Sequence, residues 1–111
     1  MGEGVKMDLR ELAVKIKDEG ETMVSQSGIN ESEKEKILLR VVKLNEEVGE
    51  LCEEILNKFG NQRSDKHFDE KNLREEFADV VIVLMLLADK LEINVERALE
   101  DKVNKIYQRK K

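Results

Sequence analysis

Two groups of acidic residues carry most of the chemistry available to this chain. Glu46, Glu47, Glu50, Glu53 and Glu54 fall within nine residues with no basic residue among them, and Glu75, Glu76 and Asp79 form a second group. On a helix successive residues are 100° apart, so Glu47, Glu50 and Glu54 share one strip. That strip edges the apolar stripe of Leu44, Val48, Leu51 and Ile55. Glu76 and Asp79 hold the same edge relative to Phe77, Val80 and Leu84. Like charges three and four positions apart cost a helix roughly 0.2–0.5 kcal/mol per pair. Half-burying them costs more unless something positive is bound. Four carboxylates directed at one point, Glu47, Glu50, Glu76 and Asp79, cannot all stay ionised without a cation or protons. Oxygen donors with no His or Cys among them favour Mg²⁺, Mn²⁺ or Ca²⁺ over zinc.

The two groups also share an order of residues. Leu44-Asn45-Glu46-Glu47-Val48-Gly49-Glu50-Leu51 parallels Leu73-Arg74-Glu75-Glu76-Phe77-Ala78-Asp79-Val80. Gly49 within a helix costs about 1 kcal/mol against alanine. Its counterpart Ala78 is also small, so two antiparallel backbones are expected to approach closely there and to point the four acids into a common space. The competing reading is that the acids are the solvated faces of Glu-rich helices. The core-edge placement, the small residue inside each motif and the duplication favour a site.

Four helices are needed to position these residues. Apolar residues at helical spacing run from about Met7 to Gln26, ending at Ser27 and Gly28. Asn30 with Glu33 reads as a capping box opening a second helix, which continues to about Phe59 and stops at Gly60. The polar segment Asn61 to Phe68 is expected to be a loop, and a third helix runs from near Asp69 to about Leu91. Asn94 is placed to cap a fourth helix reaching Arg109. No strand-like alternation is present, so the fold class is all-α, a four-helix bundle. The run Val80 to Ala88 is apolar all round, more than a lone domain of this size covers. Oligomerisation through the third helix is therefore expected. Cys52, beside the apolar stripe, reads as a small core residue, and His67 as a surface histidine.

Composition bounds the rest. The 111 residues make one domain, 1–111. Charged residues are 41% of the chain, against roughly 25% in an average domain, and the net charge is −5. An acidic balance argues against duplex nucleic acid as a partner. A single cysteine excludes a disulfide-stapled scaffold. The longest apolar run, nine residues, is far short of the roughly 20 that span a bilayer, so no membrane association is expected and the location expected is cytoplasmic. There is no Glu-x-x-His pair for a di-iron site and no glycine-rich phosphate loop after a strand.

Glu46-Glu47-Val48-Gly49-Glu50 followed by Glu76-Phe77-Ala78-Asp79 resembles the EExxE…ExxD signature of the MazG-like all-α nucleotide pyrophosphohydrolases. The resemblance extends from about Leu38 to Arg109. It implies a four-helix unit that assembles as a homodimer or homotetramer. It also implies Mg²⁺-dependent hydrolysis of a nucleoside triphosphate, NTP or dNTP, to monophosphate and pyrophosphate, with a role in nucleotide-pool housecleaning. By motif position Glu47, Glu50, Glu76 and Asp79 become metal ligands, and Glu46 a supporting or water-activating residue. The segment with Lys102, Lys105 and Arg109 is similar to the family's basic C-terminal helix.

The residues fit that chemistry independently. A triphosphate can reach an acidic site with divalent ions bridging its oxygens to the carboxylates, and the metal lowers the pKa of a bound water. Glu46 or Glu50 then takes a proton as water attacks the α-phosphorus in line. Lys102, Lys105 and Arg109, at i, i+3 and i+7, share one face and are candidates to bind the departing pyrophosphate. Mn²⁺ is an expected substitute. Two alternatives stand beside this reading: the related phosphoribosyl-ATP pyrophosphohydrolase, and a non-enzymatic helical interaction module. The aromatics Phe59, Phe68, Phe77 and Tyr107 do not select a nucleobase.

Overall fold

The computed structural model describes residues 4, 6–24, 32–60 and 68–109, with the backbone alone for residues 20–24. They form α1 (Leu9–Val24), α2 (Glu33–Lys58), α3 (Glu70–Lys90) and α4 (Val95–Arg109). Among the described residues there is no strand, as the periodicity requires, and no helix long and apolar enough to cross a membrane. The expected helix end at Gln26, Ser27 and Gly28 lies outside the described residues, as do most of the expected loop and His67.

Short polar side chains set the helix ends. Asp8 opens α1 reciprocally: the Glu11 amide donates to Asp8 Oδ1 at 2.8 Å and the Asp8 amide to Glu11 Oε1 at 2.9 Å. The box of α2 is built by Ser32 and Glu35, with Glu35 N–H to Ser32 Oγ at 3.1 Å and Ser32 N–H to Glu35 Oε1 at 2.9 Å. This corrects the expectation of Asn30 with Glu33; Asn30 lies outside the described residues. The chain holds two overlapping registers of capping residue and glutamate, and the hydroxyl register is the one formed. The same hydrogen bonds hold the Glu35 carboxyl below its usual range. Gly60, at φ 78, follows the α2 C-cap Phe59. Asp69 caps α3 through the Lys71 amide at 2.9 Å. The far end of α3 closes with Ile93 N–H to Ala88 C=O at 2.8 Å and Glu92 N–H to Asp89 C=O at 3.1 Å, Glu92 standing at φ 58 where glycine is usual. Asn94 caps α4 as expected, accepting from the Arg97 amide at 3.0 Å.

The most extensive packing is α2 against α3, followed by α1 against α3. Lys58–Glu70 at 3.6 Å and Lys90–Glu33 at 3.4 Å join opposite ends of α2 and α3, which fixes the pair as antiparallel. Such surface pairs add at most about 1 kcal/mol each, so their value here is as markers of register. Lys17–Asp89 at 3.8 Å links α1 to α3, and Arg10–Glu96 at 2.8 Å links α1 to α4.

The core is small. Ile16, Val83, Leu86 and Ala88 are the buried apolar residues among those described, with Leu86 2% exposed. Burial of Val80–Ala88 on all sides is not what a single chain achieves: Val81 is partly exposed and Leu84 is 50% exposed. On α2 the buried residues are polar, Arg40, Glu47 and Asn57, while Val48 and Ile55 stay about two-fifths exposed. Cys52, expected in the core, is exposed.

Candidate metal centre

The antiparallel pairing carries the two acid groups to the same level of the α2–α3 seam. Glu47 faces inward and is 7% exposed; Glu50 follows one turn later on the same helix, and Glu76 meets them from α3. One carboxylate oxygen from each of Glu47, Glu50 and Glu76 lies within 4.8 Å of the other two. Three of the four expected ligands therefore converge.

Electrostatics report the crowding. The Glu47 carboxyl is pushed up to about 7, chiefly by burial, then by the charges of Asp79 and Glu50, with Lys43 acting in opposition. Burial also raises Glu76, helped by the charges of Glu50, Asp79 and Glu54. Both Glu47 and Glu76 share a side-chain hydrogen bond with Glu50, which places Glu50 between the two helices. Protons held this way occupy positions that a cation would take.

Asp79 stands apart from the group of three. It is exposed, yet its charge is felt by both Glu47 and Glu76, so it lies at the rim of the cluster. Glu54 belongs to the constellation although its motif position did not mark it. Its Oε1 is buried with no hydrogen-bond partner, and its charge acts on Glu76. The signal was present in the sequence as the third member of the Glu47, Glu50, Glu54 strip. Glu46 is exposed and paired with Lys43 at 3.9 Å, so the first acid group is not without a basic neighbour. Lys102, Lys105 and Arg109 are exposed on α4, and no described hydrogen bond or ion pair joins them to the acids.

The expected close approach at Gly49 and Ala78 is not formed. A Cβ built on Gly49 would meet nothing within 4 Å, and Ala78 is exposed. Gly49 lies two residues, or 200°, from inward-facing Glu47, which turns it away from α3. The aromatic side chains do not enter the cluster: Phe59, Phe77 and Tyr107 are exposed, and Phe68 lies beneath Lys58, whose Nζ is 5.7 Å from the ring centre.

A MazG nucleotide pyrophosphohydrolase domain matches residues 35–111, which includes both acid groups and all of α3 and α4. The chain belongs to the MazG nucleotide pyrophosphohydrolase family. It is 35% identical over 74 residues to the uncharacterized protein YpjD of Bacillus subtilis (strain 168), covering 67% of each chain. It also shares its fold with the crystal structure of YpjD from Bacillus subtilis, a candidate pyrophosphatase. That match has a TM-score of 0.66 at 24% identity, over 92% of this chain and 97% of the other. The MazG membership makes this protein a nucleotide pyrophosphatase, in a family whose members are generally divalent-metal-dependent. The site fits a divalent ion: three convergent carboxylates, a fourth at the rim, and a buried carboxylate oxygen with no hydrogen-bond partner among the described residues.

Proposed function

We propose that the protein hydrolyses a nucleoside triphosphate, NTP or dNTP, to the monophosphate and pyrophosphate, with Mg²⁺ as the metal and Mn²⁺ as a substitute. The observation that carries this reading is the convergence of Glu47, Glu50 and Glu76 across the α2–α3 seam of a MazG domain. Glu47, Glu50 and Glu76 would hold the cation, with Asp79 at the rim as the fourth ligand. When bound, the cation supplies charge neutralisation to the phosphate chain and Lewis-acid polarisation of its oxygens.

The chain's own residues account for the remaining requirements. Burial of Glu47 at the seam keeps its carboxylate in one orientation and excludes bulk water from one side of the site. Glu50 stands beside Glu47 and Glu76, with a carboxylate oxygen of each within 4.8 Å, and is the first candidate to take the proton removed from the attacking water. Glu46, exposed beside Lys43, is the second candidate for that proton. Lys102, Lys105 and Arg109 are exposed cations on α4 and are the candidates for binding the pyrophosphate as it leaves. Action in the cytoplasm on the nucleotide pool is part of the same reading.

The test is product analysis. The protein is incubated with Mg²⁺ and a panel of canonical and modified NTPs and dNTPs, together with phosphoribosyl-ATP. Monophosphate with pyrophosphate from one of the triphosphates is expected. Orthophosphate with diphosphate, or no turnover, overturns the reaction, and selective turnover of phosphoribosyl-ATP overturns the substrate.

A further inference from the structure

Two lysines bound the acid strip of α2, and they are not equivalent. Lys43 lies one turn before Glu47 and two before Glu50, which on a helix puts it over the same edge as the carboxylates. Its ammonium acts on Glu47, in opposition to the acids around that group. Arg40, buried one turn further along, adds a second positive charge on this side. The contact of Lys43 with Glu46 is loose: Nζ is 3.9 Å from Oε1, beyond hydrogen-bonding distance, and the side chain is 47% exposed. Across the seam, the pairs Lys58–Glu70 and Lys90–Glu33 set position 43 level with 80–85 of α3, the apolar stretch Val80-Val81-Ile82-Val83-Leu84-Met85. An anion there meets no carboxylate from α3. At the other end, Lys58 lies beyond Glu54, is held by Glu70 at 3.6 Å and stands over the Phe68 ring. An anion moving that way passes the Glu54 carboxylate first.

We propose that Lys43 binds the outer phosphates of the substrate, so that the phosphate chain runs along α2 from the carboxylates toward Lys43 and the nucleoside points toward Glu54. The inference rests on the proposed reaction and deepens it: it names a binding residue and a direction that the acid cluster alone leaves open. Four residues of helix rise about 6 Å, close to the span of the two anhydride links between the α- and γ-phosphorus. With the α-phosphate level with Glu47, the γ-phosphate therefore comes level with Lys43. Lysine suits this place because its ammonium is a compact charge on a flexible stem, able to follow pyrophosphate as it leaves. Binding phosphate displaces only the loose contact with Glu46. Run the other way, the chain would carry its charge past Glu54 to a lysine already engaged by Glu70. The α4 cations Lys102, Lys105 and Arg109 have no described contact with the acids, whereas Lys43 is carried by the same helix as Glu47 and Glu50.

Calorimetric titration of the purified chain tests this at pH 8, where Glu47 is ionised. The titrants are Mg²⁺ alone, inorganic pyrophosphate with Mg²⁺, and a panel of deoxynucleoside monophosphates with Mg²⁺. Lys43→Met is expected to weaken pyrophosphate binding at least about 10-fold, the worth of one charge-assisted hydrogen bond. Binding of Mg²⁺ alone is expected to be unchanged or tighter, because a positive charge one turn from Glu47 is removed. A merely structural role would weaken both. Lys43→Arg keeps the charge and is expected to retain pyrophosphate binding, and Lys58→Met is expected to match the wild type. With a triphosphate that the wild type hydrolyses, Lys43→Met is expected to raise KM at least about 10-fold. Pyrophosphate that the wild type does not bind, or that Lys43→Met binds equally well, overturns the proposal. So does a parallel loss of Mg²⁺ binding in a variant of unchanged helix content, or a larger effect of Lys58→Met, which reverses the direction. Monophosphate affinity that falls as far as pyrophosphate affinity places Lys43 at the α-phosphate and overturns it as well. A wild type that binds pyrophosphate through Lys43 but hydrolyses no triphosphate overturns the reaction and leaves the assignment of Lys43 standing.

Discussion

Glu47 ties stability to pH with a definite sign. Its carboxyl titrates near 4.5 ordinarily and at about 7 in the folded chain. Below 4.5 both states are protonated and the group contributes nothing. Between 4.5 and 7 the unfolded chain loses the proton while the folded chain keeps it, so folding becomes less favourable as pH rises. Above 7 both are ionised and the full penalty is present. A shift from 4.5 to about 7, at 1.36 kcal/mol per pH unit, corresponds to about 3 kcal/mol of stability lost across this window. For a domain of this size that lowers Tm by roughly 12 °C. Glu76, also raised, acts in the same direction. The assay is thermal unfolding in EDTA from pH 5 to pH 8, followed by circular dichroism, for the wild type and for Glu47→Gln. Glutamine keeps the shape of the protonated acid, so the variant is expected to match the wild type at pH 5 and to exceed it at pH 8. A wild-type Tm that holds or rises across the window, or a Glu47→Gln variant that retains the full slope, refutes the assignment of the penalty to a buried carboxylate in this cluster.

Divalent cations act on the same groups, so Mg²⁺ at about 100 times its dissociation constant is expected to stabilise the native chain by about 2.7 kcal/mol at pH 8 and by less at pH 6; equal shifts at both pH values argue against a carboxylate site. Glu50→Gln and Asp79→Ala are each expected to reduce kcat/KM for pyrophosphate release at least about 100-fold, with a weaker Mg²⁺ dependence; full activity in Glu50→Gln removes it from the site. Glu54→Gln is expected to weaken Mg²⁺ stabilisation while preserving the helix content, which separates a ligand from a scaffold residue; unchanged Mg²⁺ affinity by calorimetry counts against its part in the constellation. Ser32→Ala removes the hydroxyl cap of α2 and is expected to cost about 1 kcal/mol, read as a lower Tm, while Ser32→Asn retains most of it.

How much of this could be read from the sequence depends on which face of α2 is considered. Helix number, type and most ends follow from the 3.6-residue repeat and from local caps such as Asn94 and Asp69, which involve neighbours in the chain alone. The acid strip was legible because its two halves repeat the same order of residues and because three and four residues apart means one face. Which side of α2 meets α3 was not. The helix is apolar on both sides of its acids, and periodicity does not say which apolar face belongs to the chain's own core. The structure gives the seam to the polar strip of Arg40, Glu47 and Asn57, and leaves Val48, Gly49, Cys52 and Leu56 outside. The misplaced residues, Gly49 as a point of close approach to α3 and Cys52 as core, share this one cause. A glycine in mid-helix suggested close packing against α3, but α3 meets the opposite side of the helix and Gly49 faces open space. On α2 the seam carboxylates and the exposed apolar residues Val48 and Leu56 are separated by the row containing Glu46 and Glu53, so one helix presents two chemically different faces side by side.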